Sequence, residues 1–65
     1  MKLYVIRHKK YPEKLWSFDY LEWFGCNAIP FLDCILDVLP DKNDPNLPVD
    51  GEIFCITGFI GEVVK

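Results

Sequence analysis

Arg7 and His8 are adjacent at the end of an apolar run, residues 3–6, and both side chains could take part in chemistry. An imidazole can act as a nucleophile or exchange a proton near neutral pH. A guanidinium presents a planar set of donors that matches the oxygens of a phosphate group. The pair therefore places a possible nucleophile beside a possible anion-binding group.

Residues 1–8 resemble the first strand of the histidine phosphatases, which ends in an Arg-His-Gly triplet. The resemblance implies that His8 takes up the phosphoryl group and that Arg7 holds its oxygens. Lys9 stands where that family has glycine, and the chain has only one histidine and one arginine, although the chemistry needs a second of each. We therefore interpret residues 1–8 as a structural strand with a solvated basic end, and predict no catalytic residues. An enzyme that uses Arg7 and His8 is the weakest alternative.

The cysteines, Cys26, Cys34 and Cys55, are odd in number and form no C-x-x-C pair. This pattern argues against a disulfide framework, and a single histidine cannot complete a zinc site without carboxylates. We expect reduced thiols, with no metal and no cofactor.

The hydrophobic pattern predicts one compact domain, 1–65, of the α+β class. We expect a small, mainly antiparallel sheet with two helices packed on one face, in the order β-α-α-β-β. The predicted elements are a strand at 1–8, helices at 13–24 and 29–39, a proline-rich loop at 40–50, and strands at 52–57 and 59–64.

Both helix predictions rest on the spacing of particular residues along the sequence. Trp16, Tyr20 and Trp23 recur at i, i+4 and i+7, the spacing of one helical face. Because this stretch is so aromatic, a strand stays open for part of residues 13–24. In the second predicted helix, Asp33 and Asp37 are four residues apart and would share its exposed face.

Charge is distributed unevenly along the chain, whose net charge is −3. Residues 1–14 carry five basic side chains and one acid, whereas residues 15–65 carry nine acids and two lysines. Within 20 residues lie six acids that we expect to form one negative surface: Asp33, Asp37, Asp41, Asp44, Asp50 and Glu52. Such a surface can dock on a basic groove of a partner protein. The alternative is that these acids only keep the domain in solution.

Aromatic side chains form a second candidate surface. The chain has ten Phe, Trp and Tyr residues, and Trp and Tyr are enriched at binding hot spots. The candidates are Tyr11, Trp16, Tyr20 and Trp23. The alternative is that they fill the core.

A short, acidic, aromatic-rich chain without catalytic parts resembles the small phage anti-CRISPR proteins, a group with no common motif. The resemblance implies a non-enzymatic inhibitor that blocks target DNA binding by a Cas complex such as a type I Cascade. A small adaptor or an antitoxin-like domain stays open as an alternative. No apolar stretch reaches the length of a membrane span. We therefore expect a cytoplasmic protein that contacts no membrane. The resemblance implies a bacterial host, and we expect a monomer that does not bind nucleic acid directly.

Overall fold

A computed structural model of the protein describes residues 2–25, 33–58 and 60–64, which form one antiparallel sheet of five strands. The strands are β1 (Lys2–His8), β2 (Lys14–Ser17), β3 (Glu22–Gly25), β4 (Gly51–Thr57) and β5 (Ile60–Val63). Their order across the sheet is β3-β2-β1-β4-β5. The predicted α+β class with two helices is therefore wrong, because the described part of the chain contains no helix that packs on the sheet.

Strand β1 is the centre of the sheet, as the apolar pattern of residues 1–8 predicts. Its neighbouring residues Val5 and Ile6 point to opposite faces and are 2% and 0% exposed, so both faces are covered at this point. Strand β4 pairs with β1 along its whole length, from Lys2 opposite Thr57 to His8 opposite Gly51. The strands predicted at 52–57 and 59–64 correspond to β4 and β5.

The helix predicted over residues 13–24 is wrong, because this stretch is the β2–β3 hairpin. Ser17 closes its turn: the Ser17 carbonyl accepts from the amide of Leu21, and its Oγ accepts from the amide of Tyr20. Trp16 and Trp23 are directly opposite across the two strands. A separation of seven residues therefore brings two side chains together in this hairpin as well as on a helix.

The helix predicted over residues 29–39 is also wrong in its described part, residues 33–39; residues 29–32 lie outside the described residues. Leu36 forms an isolated antiparallel bridge with Tyr4, with two backbone hydrogen bonds of 2.7 Å. Strand β2 pairs with β1 only at Arg7 and Leu15, so it leaves this part of the β1 edge uncovered. Buried backbone groups need hydrogen-bond partners, and here the extended backbone at Leu36 supplies them to the edge of β1.

The loop predicted over residues 40–50 is confirmed. It consists of successive turns, closed by hydrogen bonds from the amides of Asp44, Leu47 and Gly51 to the carbonyls of the residues three positions before them. Asp41 and Asp44 also accept bonds through their side chains from the amides two residues later. Aspartate favours turns for this reason.

The core lies on the face of the sheet that carries Val5. Val5, Leu15 and Cys34 are its buried members, and the surrounding side chains are Phe24, Ile35, Phe54 and Ile56. Cys34 reaches this core from a position two residues before Leu36, the bridge partner of Tyr4, so residues 34–36 cover part of β1 and β2. The acidic residues on either side of this cover are held at the surface.

Candidate functional site

The side chain of Arg7 makes its contacts with residues of the neighbouring strand β4. Its Nη2 and Nε donate to Oε1 of Glu52 at 3.0 and 3.3 Å, and its Cζ lies 4.1 Å from the centre of the Phe54 ring. The guanidinium therefore joins β1 to β4 through a carboxylate and an aromatic ring at the same time.

His8 points to the opposite face of β1 from Arg7, because adjacent residues of a strand alternate. Its Nδ1 accepts hydrogen bonds from the amides of Lys10 and Tyr11, at 3.0 and 3.2 Å. The imidazole thus caps the turn after β1, and its ring lies 4.7 Å from that of Trp23. Arg7 and His8 do not converge on a common ligand.

Three of the four aromatic candidates form a cluster around His8. Tyr11 lies 5.0 Å from the His8 ring, and Trp16 packs edge-on against Trp23 at 5.3 Å. Tyr11 is 43% exposed, whereas both tryptophans are half-buried. Tyr20 lies apart from the cluster, against Phe24.

Two lysines flank the exposed edge of this cluster. The Nζ atoms of Lys10 and Lys14 lie 5.6 and 5.4 Å from the centre of the Tyr11 ring. The indole Nε1 of Trp16 is buried without a hydrogen-bond partner among the described residues. Most of the aromatic surface is therefore used in internal packing, and Tyr11 is the member that solvent reaches most readily.

The six acidic candidates divide into two groups. Glu52 is paired with Arg7 inside the sheet and does not belong to an open negative surface. The others belong to residues 33–50, which we call the acidic segment: Asp33, Asp37, Asp41, Asp44 and Asp50. Four of them are exposed and Asp44 is half-buried. Asp33 and Asp37 do not share a helix face, because residues 35–50 contain no helix and only Asp33 and Cys34 lie in a short 3-10 turn.

The negative charge of the acidic segment is not balanced by basic residues within the segment. Lys42 is its one basic residue, so five carboxylates against one ammonium leave a net charge of −4. Within residues 2–25, 33–58 and 60–64, the only ion pair joins Arg7 to Glu52. None of the five carboxylates therefore forms an ion pair with a lysine in the part of the chain that the structure describes.

A groove of about 240 Å³ opens beside the acidic segment. Its lining combines five apolar side chains with two of the predicted acids: Phe18, Leu36, Val38, Leu39, Pro40, Asp37 and Asp44. The hairpin turn supplies Phe18, and the other side chains come from residues 36–44. The structure thus brings Asp37 and Asp44 together, seven residues apart in the sequence.

Sequence reasoning missed the apolar part of this groove. Val38 and Leu39 lie within the helix predicted over residues 29–39, yet they are not helical and are 70% and 54% exposed. Phe18 lies in a turn that the helix prediction did not contain. One sequence feature argues against a helical conformation here. Pro40 follows Val38 and Leu39 directly, and proline disfavours a helical conformation in the residue before it.

Burial controls the chemistry of the thiol at Cys34. This side chain is 1% exposed, and desolvation raises its pKa above the ordinary value, with further increases from the carboxylates of Asp33 and Asp19. A thiol with a raised pKa is a poor nucleophile at neutral pH. Cys55 is buried as well, and Cys26 lies outside the described residues.

The described residues contain neither a candidate metal site nor a membrane-spanning helix. No group of three or more His, Cys, Asp or Glu side chains in this part of the chain is arranged to hold a metal ion. Nor does this part contain a helix long and apolar enough to cross a membrane.

Comparisons with known proteins add no relative. The chain matches no protein-family model, no curated protein and no solved structure.

Proposed function

We propose that this protein is a non-enzymatic binding protein that docks on a basic surface of a protein partner through its acidic segment. The observation that carries the proposal is the uncompensated charge of residues 33–50, a net −4 without an ion pair among the described residues. Carboxylates that form no ion pair with the described residues keep a charge that a basic partner can compensate.

Electrostatics gives this surface a physical role. Exposed charges act over about one Debye length, roughly 8 Å at physiological salt, and complementary potentials raise association rates. A partner groove that binds nucleic-acid phosphates is rich in Lys and Arg. A small acidic domain that occupies such a groove would exclude the nucleic acid by competition.

The first partner to test is the target-DNA-binding surface of a type I Cascade. This choice rests on the resemblance of the chain's overall character to that of the small acidic anti-CRISPR proteins. An adaptor or an antitoxin would use the same acidic segment on a different partner, so the identity of the bound protein separates these alternatives.

The experiment measures target DNA binding by purified Cascade as the chain is added. We expect wild-type protein to displace DNA, and to do so less effectively as salt is raised. Asp33 and Asp50 make no side-chain hydrogen bond with another described residue, and reversing them, Asp33→Lys with Asp50→Lys, should lower the association rate about tenfold or more. The matched control is Glu62→Lys, which reverses an exposed acid on β5 outside the acidic segment.

Each result has a definite meaning. If wild-type protein does not displace DNA at any salt concentration, Cascade is not the partner. If Glu62→Lys weakens the binding of a verified partner as much as the double reversal does, the acidic segment is not the docking surface, and Tyr11 and the neighbouring aromatic cluster become the candidates.

A further inference from the structure

We propose that the groove beside the acidic segment receives one arginine side chain of the partner, and so anchors the complex. This inference rests on the proposed function, since it assumes a basic partner. It adds a specific recognition element to an attraction that would otherwise depend on charge alone.

The size of the groove favours a single side chain. Pockets for small-molecule ligands and cofactors usually have volumes of about 300 to 1,000 Å³. The groove falls below this range at about 240 Å³. It is therefore better matched to one long side chain than to a cofactor.

The lining favours a side chain that is apolar along its stem and charged at its tip. Phe18, Val38, Leu39 and Pro40 provide apolar surface. Val38 and Leu39 expose most of their area to solvent, and covering that area is favourable. The stems of Lys and Arg pack on apolar surface in this way while their charged ends stay near polar groups.

Two acceptors and an aromatic ring select arginine over lysine. Asp37 makes no side-chain hydrogen bond or ion pair within the described residues, and Asp44 accepts only the amide of Asn46, through Oδ1. A guanidinium can bridge carboxylates with its planar donors and stack on the Phe18 ring, whereas an ammonium is compact and strongly hydrated. The chain already contains this combination internally, where Arg7 meets Glu52 and Phe54.

The groove is held in place before a partner arrives. Leu36 is tied to Tyr4 by two backbone hydrogen bonds, and the Asp44 carbonyl accepts from the amide of Leu47. A site whose backbone is already ordered loses less conformational entropy on binding.

The test uses two probes of equal length and charge, hexa-arginine and hexa-lysine, titrated into the full-length ¹⁵N-labelled protein. We expect hexa-arginine to bind about fivefold more tightly or better, and to shift the amide signals of Val38 and Leu39. Val38→Ser should remove this preference without changing the charge. Because Val38 is 70% exposed, the melting temperature should change little, and a melting curve of each variant checks this.

A matched pair of variants distinguishes the contribution of the groove to binding from that of long-range electrostatic attraction. Asp37→Asn and Asp33→Asn remove the same charge from the same segment, but only Asp37 lines the groove. We expect Asp37→Asn to weaken hexa-arginine binding about fivefold, the ratio that corresponds to about 1 kcal/mol, and Asp33→Asn to weaken it much less.

Other outcomes would overturn the inference in distinguishable ways. If both peptides bind equally and both variants weaken them equally, electrostatic docking stands but the arginine site is excluded. If neither peptide binds at low salt, the proposed function fails together with the inference. If sedimentation shows a wild-type dimer that Val38→Ser abolishes, a second copy of the chain occupies the groove instead of an arginine.

Discussion

Arg7 on β1 and Glu52 on β4 are direct cross-strand partners, with Nη2 and Oε1 3.0 Å apart and the guanidinium over the ring of Phe54. The side chains of the ion pair are 26% and 22% exposed, so solvent screens it only in part. This contact gives the one arginine of the chain a structural role.

Replacing Arg7 should therefore lower stability. We expect Arg7→Ala to cost about 1–2 kcal/mol, from a partly exposed ion pair and a cation–π contact. Arg7→Lys should recover part of this loss, because lysine keeps the charge but lacks the planar donors. The measurement is urea unfolding, with Lys9→Ala as the exposed control. Equal costs for Arg7→Ala and Lys9→Ala would show that the pair contributes nothing.

His8 should behave as a turn cap. His8→Ala removes the acceptor of the Lys10 and Tyr11 amides and should cost about 1 kcal/mol. His8→Asn places an amide oxygen near the position of Nδ1 and should restore most of that loss. Thermal unfolding of both variants provides the comparison. If asparagine is no better than alanine, the hydrogen bonds at Nδ1 are not the source of the stability.

Gly51 should not tolerate a side chain. A Cβ at this position would lie 2.7 Å from Cγ2 of Ile6 and 2.8 Å from Cγ of Pro48. Because Ile6 is fully buried and the proline ring is stiff, Gly51→Ala should cost about 1–3 kcal/mol. Gly25→Ala is the control, since no described residue other than its chain neighbours lies within 4 Å of its Cβ position. Chemical denaturation that ranks the two variants equally would contradict the packing around Gly51.

Leu21 adopts a left-handed backbone conformation, with φ at 53°, in the turn between β2 and β3. This conformation costs a residue with a Cβ roughly 1 kcal/mol, and glycine avoids the cost. Because Leu21 is 52% exposed, little packing is lost on truncation. Leu21→Gly should therefore raise the free energy of unfolding by up to about 1 kcal/mol, whereas a clear loss of stability would mean that the leucine side chain is needed.

Cys34 should make stability depend on pH in the alkaline range. Its pKa is raised in the folded protein, so above the ordinary value of 9.0 the unfolded chain loses this proton first. The stabilisation is therefore complete below pH 9 and is lost as pH rises toward the folded-state pKa. The wild-type free energy of unfolding should fall relative to that of Cys34→Ala between pH 8 and about pH 10.5. Parallel pH profiles for the two proteins would exclude this linkage.

Sequence patterns predicted the elements whose character does not depend on distant contacts. The apolar residues of β1 and β4 favour strands in any packed arrangement. The prolines and aspartates of residues 40–50 form turns through their own backbone and side-chain geometry. The uneven charge that produces the acidic segment is likewise a property of composition, independent of the fold.

Tertiary structure decided the conformation of residues 13–25 and 33–39. Trp16 and Trp23 have a spacing that suits a helix face and a hairpin equally, and pairing of Leu15 with Arg7 selects the hairpin. Leu36 is extended because the edge of β1 at Tyr4 needs backbone partners. Periodicity records only which residues are apolar over a short window. The groove of Phe18 with Asp37 and Asp44 depends on contacts between segments far apart in the chain, and so only the folded structure could place it.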